Sequence, residues 1–220
     1  MPILVSEAEA ARMGEEAWAA IRQRSPLSSN TEYSEVTRRV AGRLLRAGGH
    51  DTGDWEFAVF AGDQVNAFAL PGRKIGVYEG MLDLVTSEGQ LAAVIGHEIG
   101  HIEADHSRER MSAQMAGNAA LRVLSWLLDL GEVEFADEIA AALGVGVEFG
   151  VLRPYGRGQE EEADLLGLHL MRSADYQGEE AVALWQRMAA RGQRGPDFLS
   201  THPAPQSRIE ALQEAISVAS

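Results

Sequence analysis

Apolar residues recur along the chain with two different periods, and the change of period divides it. Ser6-Glu7-Ala8-Glu9 has capping-box spacing and opens an Ala-rich helix that carries Met13, Ala17, Trp18 and Ile21 on one face and stops near Ser25-Pro26. Tyr33, Val36, Val40, Leu44 and Ala47 then predict a second helix, ended by Gly48-Gly49. From Trp55 the pattern shortens to strands over 55–60, 65–70 and 74–78, with Gly62-Asp63 and Pro71-Gly72 as turns. These make a small antiparallel sheet, one edge of which is offered to a peptide as a docking strand.

Helical spacing returns at Ser87-Glu88-Gly89-Gln90, a further capping-box match that opens a helix over 87–107 with Leu91, Val94, Ile95 and Ile102 as its apolar stripe. Residues 111–150 read as two core helices parted at Gly131, with a lid or partner-binding surface as the alternative. A loop broken by Pro154, Gly156 and Gly158 follows, then a helix that starts on acidic residues. A loop flanked by Pro196, Pro203 and Pro205 leads into an amphipathic helix through Ile209, Leu212 and Ile216. The expectation is a mostly helical α+β chain forming one domain over 1–220. Its parts are N-terminal helices (1–50), a small sheet (55–80), a central helix (87–107), a helical insert (111–150) and the remaining helices (158–220).

Composition narrows what this domain binds. A formal charge of −14 excludes a general basic surface for nucleic acid or anionic lipid. The absence of cysteine excludes disulfides, thiolate ligands and a cysteine nucleophile, which leaves any metal to imidazoles and carboxylates. The longest apolar stretch, 139–147, falls short of the roughly 18 residues that span a bilayer, and no export signal opens the chain, so it reads as soluble.

The central helix carries His97-Glu98-Ile99-Gly100-His101. Residues four apart on a helix differ by about 40° around its axis, so the two imidazoles project from one face and can share a metal ion. Glu98 lies inside the apolar stripe, where a carboxylate costs several kcal/mol without a partner. A water held on a metal is such a partner, and a Glu beside two His ligands is the general base of zinc peptidases. A catalytic zinc takes a third protein ligand. Glu160 and Asp164, four apart at the start of the acidic helix, offer one carboxylate for the metal and one to receive a hydrogen bond from a ligating imidazole.

Taken in order, His97-Glu98-Ile99-Gly100-His101, Glu160-Glu161-Glu162-Ala163-Asp164, Val65-Asn66-Ala67-Phe68-Ala69-Leu70-Pro71-Gly72, Pro154-Tyr155-Gly156-Arg157-Gly158-Gln159 and Ser200-Thr201-His202-Pro203 resemble segments of one family. It is the zinc metallopeptidase family of the HtpX, Oma and CAAX prenyl endopeptidase type, and the chain is most similar to its soluble, BepA-like periplasmic members. The resemblance covers about residues 5 to 217 and implies a gluzincin-like peptidase domain. It also implies one Zn2+ held by His97, His101 and Glu160, Asp164 behind them, and Glu98 as base. The substrate, a protein or peptide, is expected as an extended strand along Asn66, Ala67, Phe68 and Ala69. His202 is expected near the cleft, as an oxyanion stabiliser or a reversible plug on the metal, against the plainer role of a helix cap. Arg73 and Gly156 depart from the family's usual Gly and Ser. His50, His106 and His169 read as surface or packing residues. The implied function is endoproteolysis in envelope protein quality control, periplasmic or at the outer membrane, with membrane association through an N-terminal anchor not in this chain. A zinc-containing, chaperone-like or regulatory module with a closed cleft and a metal-free helical interaction domain are the alternatives.

Overall fold

In the computed structural model the described residues are 5–115, 155–191, 197–203 and 206–218. The expected insert over 111–150 lies outside them from residue 116 onward, as do Pro154, Pro196 and Pro205. Helices α1 (Glu7–Arg24) and α2 (Thr31–Ala47) lead into strands β1 (Glu56–Phe60), β2 (Ala67–Leu70) and β3 (Lys74–Tyr78). Helices α3 (Glu79–Leu84), α4 (Glu88–Glu103) and α5 (His106–Met115) follow, then α6 (Arg157–Ser173), α7 (Glu179–Ala189), α8 (Phe198–Thr201) and α9 (Gln206–Val218).

Helix caps act where the sequence places them. Ser6 and Glu9 exchange side-chain and backbone hydrogen bonds at the start of α1. At α4 only half of the box forms: the Ser87 hydroxyl accepts from the Gln90 N–H, but the Gln90 side chain accepts from Thr86 instead. The stripe expected on α4 is too narrow a description. Every residue from Gly89 to His101 is buried, because β2, α2, α6 and α7 surround the helix.

The sheet is mixed, not wholly antiparallel. Its order is β1-β3-β2, with β3 antiparallel to β2 and parallel to β1. Gly62-Asp63 therefore does not close a hairpin; the chain from 61 to 66 crosses the end of the sheet and leaves room for β3 in the middle. Gly76 shows why that order packs well. A Cβ there would sit 2.3 Å from the Phe68 ring and 2.9 Å from the Phe60 ring, so a bare central strand lets rings from both neighbours meet over it, centroids 6.0 Å apart. Phe60, Phe68, Leu70 and Tyr78 pack with Met13, Trp18 and Ile21 of α1. Val59, Ala67, Ala69, Ile75 and Val77 alternate to the other face and join the larger core of α2, α4, α6, α7 and α9.

Across the site the decisive contact is α4 on α6. Gly100 packs on the backbone of Ala163, and Gly167 on that of Gly96 and His97, so closely that a Cβ on Gly100 would meet the Ala163 carbonyl oxygen at 2.7 Å. The small residues let two helix backbones approach far enough for side chains from each to share one point.

Candidate metal centre

That point lies where α4, α6 and the segment after α8 converge. His97 Nε2 and His101 Nε2 are 3.0 Å apart. His202 Nδ1 stands 3.2 Å from His97 Nε2 and 3.0 Å from Glu160 Oε1. Glu160 Oε1 is 3.3 Å from His101 Nε2, and its Oε2 is 3.5 Å from His97 Nε2. All four residues are buried, and one donor atom from each lies within 4.8 Å of the others. Ring nitrogens facing each other at such distances repel unless a proton or a metal ion lies between them. A tetrahedron with metal–ligand bonds of about 2.0–2.1 Å has edges of about 3.3 Å, and the donor separations match it. The donor set fits a divalent metal ion.

Electrostatics point the same way. Burial disfavours charge on His97, yet the carboxylates of Glu160 and Asp164 raise it to about 9, so this imidazole holds a proton that a cation would displace. Burial alone would raise Glu160, but the charges of His202 and His97 and hydrogen bonds from His101 and His202 hold it far below the usual carboxylate range. Burial lowers His202 to about 4 and holds His101 well below its ordinary value, leaving both as neutral donors. Glu98 is pushed up to about 8 by burial; its Oε1 has no hydrogen-bond partner and lies 3.5 Å from His202 Nε2.

The residues behind the cluster are as ordered as those within it. Asp164 Oδ1 is 2.9 Å from His97 Nδ1, and both its oxygens accept from Arg208, each at 2.7 Å. Arg208 also pairs with Glu160 at 2.6 Å and lies over the Trp185 ring at 4.1 Å. Tyr155 stacks on His101 with centroids 4.0 Å apart, and its N–H donates to the Thr201 carbonyl, which ties the start of α6 to the turn that carries His202. His202 itself stacks on Phe198.

Sequence reasoning placed His97, Glu98, His101, Glu160 and Asp164 together, and the structure gathers them, with His202 inside the cluster and not merely capping a helix. Asn66, just before edge strand β2, and Ala67, Phe68 and Ala69 on it lie against α4 and are buried, main chain included, so the structure leaves no open strand edge at these four residues. Asn66 caps its own strand through Oδ1 to the Ala67 N–H, and its Nδ2 has no hydrogen-bond partner. His50 pairs with Glu103 away from the cluster, and His169 is exposed. Two residues escaped the sequence. Arg208 is buried one turn before Leu212 on the apolar face of α9, and a charge at that spacing was its signal. His106, expected to be an ordinary surface or packing residue, is buried against His101, Nδ1 to Nδ1 at 3.0 Å.

Residues 28–216 match the family model "Peptidase family M48". The chain is 37% identical over 179 residues to the mitochondrial metalloendopeptidase OMA1 of Schizosaccharomyces pombe, covering 80% of this chain and 51% of that protein. It is 33% identical to the bovine mitochondrial metalloendopeptidase OMA1 over 74% of this chain and 32% of the relative. It is 25% identical to the beta-barrel assembly-enhancing protease of Yersinia pestis over 86% of this chain and 40% of the relative. The chain thus spans between about a third and a half of the length of these curated relatives.

Proposed function

Since the chain belongs to peptidase family M48, we propose that it is a zinc-dependent endopeptidase acting on protein substrates in quality control. The observation that carries this reading is a buried His97–His101–Glu160 donor set with a buried carboxylate beside it, Glu98, whose Oε1 has no hydrogen-bond partner. Zinc is preferred among divalent ions because two imidazoles and one carboxylate with a neighbouring Glu are its usual hydrolytic setting, and when bound it polarises the scissile carbonyl and acidifies the attacking water. Glu98 takes the proton from that water and passes it to the leaving amine. Its burial raises its proton affinity toward neutrality, as a group that must both accept and return a proton requires. Asp164, fixed by Arg208, holds His97 with Nε2 toward the metal. The substrate strand expected along Asn66 to Ala69 would bond through main chain that is covered in this structure, so its entry requires this edge to be uncovered first.

Substituting Glu98→Gln tests the base. Cleavage of casein is expected to fall by about 10²–10⁴-fold with zinc content retained, whereas Glu160→Ala is expected to lose the metal. A Gln variant with wild-type turnover overturns the role of Glu98, and full occupancy after Glu160→Ala moves the third ligand elsewhere.

His202 supports a second reading, a chaperone-like or regulatory module with a closed cleft, because its Nδ1 stands in the fourth donor position. We read it as a plug that must swing away before substrate enters. Faster casein cleavage by His202→Ala supports that; slower cleavage makes His202 an oxyanion stabiliser instead, and no cleavage by either protein favours the binding module. The compartment proposed is the bacterial envelope, from the resemblance to BepA-like members; the mitochondrial relatives weigh against it, and cell fractionation decides. No helix among the described residues is long and apolar enough to cross a membrane.

A further inference from the structure

Resting on the metal reading above, we propose that His106, backed by Glu162, positions His101 by accepting the hydrogen from its Nδ1. The geometry is directional. His101 turns Nε2 into the donor cluster, 3.0 Å from His97 Nε2 and 3.3 Å from Glu160 Oε1. A nitrogen that offers a lone pair to a metal cannot carry hydrogen, so the ring's hydrogen sits on Nδ1. Nδ1 faces His106 Nδ1 at 3.0 Å, which must then be the acceptor, and the hydrogen of His106 sits on Nε2. That nitrogen is 3.2 Å from Glu162 Oε2 on α6. One chain of hydrogen bonds runs from the centre to the surface, for His106 is buried and Glu162 is exposed.

Local backbone geometry is what makes this contact. On a continuous helix residue 106 would point about 140° away from residue 101. The helix instead stops at Glu103, Asp105 takes a left-handed conformation with φ 57°, and α5 restarts at His106, which folds the ring back under His101. Tyr155 covers a face of the His101 ring by stacking on it. The two imidazoles are thus held differently: His97 by the Asp164 carboxylate, His101 by a neutral ring.

Zinc affinity, measured by competition with a chromophoric chelator, tests the proposal apart from any activity. His106→Leu is expected to weaken zinc binding by about 10–100-fold, while His106→Asn, whose Oδ1 reproduces the acceptor, stays within about threefold of wild type. Glu162→Ala is expected to weaken it by at most about fivefold, since that carboxylate is exposed. Imidazole nitrogen shifts of the wild-type protein supply a readout that needs no variant to fold: His101 should carry its hydrogen on Nδ1 and His106 on Nε2. Equal affinity of the Leu variant and wild type, an Asn variant as weak as the Leu one, or hydrogen on Nε2 of His101 each overturns the relay. Wild-type protein that takes up no zinc overturns the enzyme reading itself, a result distinguishable from all of these.

Discussion

Gly100→Ala is the sharpest perturbation available, because one methyl group tests whether the spacing of α4 and α6 sets the metal site. The added Cβ would lie 2.7 Å from the Ala163 carbonyl oxygen and 3.1 Å from its Cα, where ordinary contact begins at 3.4 Å. Both obstructing atoms are backbone, so no side chain can swing aside and α6 must retreat by about 0.7 Å. Glu160 lies less than one turn before Ala163 on the same rigid helix and moves with it. A metal site tolerates about ±0.2 Å in its ligand distances, so the retreat takes the carboxylate out of range. Zinc affinity should drop by about 10–100-fold, the effect of losing an orienting partner. Overpacking costs about 1–3 kcal/mol, offset by the roughly 1 kcal/mol that Ala gains over Gly inside a helix, so the metal-free fold should lose no more than about 2 kcal/mol. Chelator competition reads the first quantity and thermal unfolding in EDTA the second. Gly158→Ala on α6, where a Cβ meets nothing within 4 Å, is the control and should bind zinc normally. A folded Gly100→Ala protein with wild-type zinc affinity would refute the idea that close helix approach sets the site.

Three other outcomes are expected. Arg208→Met leaves Asp164 and Glu160 buried without their cation and should destabilise the metal-free protein by about 3–5 kcal/mol in denaturant unfolding, less when zinc is present. Metal-free protein should melt at lower temperature as pH rises from 6.5 to 9: His97, raised to about 9, and Glu98, raised to about 8, both bind protons more tightly folded than unfolded, so their contribution is lost on deprotonation; an unchanged melting temperature contradicts this. Arg73→Gly should stabilise by about 0.5–1 kcal/mol, since Arg73 sits at φ 61° and keeps only an exposed pair with Asp54; a lower unfolding midpoint would show that this pair matters more than the backbone.

The parts of the site that could be read from sequence are those ruled by helical periodicity. His97 and His101, Glu160 and Asp164 are each one turn apart on a single helix, and Glu98 betrayed itself as a carboxylate on an apolar stripe. What depends on a break in regular structure was not legible. The contact of His106 with His101 exists only because Asp105 leaves helical geometry, and no residue type announces that. Arg208 was hidden by the expectation that a charge on an amphipathic helix faces water. The three strands are legible one by one, with β1 starting one residue and β2 two residues later than expected, but the insertion of β3 between β1 and β2 is decided by how Phe60 and Phe68 cover Gly76, a contact between strands.

Arg208 also places the centre in time. Its guanidinium is what Asp164 and Glu160 pair with, yet it follows every other residue of the cluster along the chain. At translation rates of about 5–20 residues per second, a nascent chain therefore carries His97, Glu98, His101 and Glu160 for several seconds before the cation that braces them is made. A centre assembled in that order lacks its brace until α9 is made, and whatever dislodges α9 from the finished molecule undoes the same step.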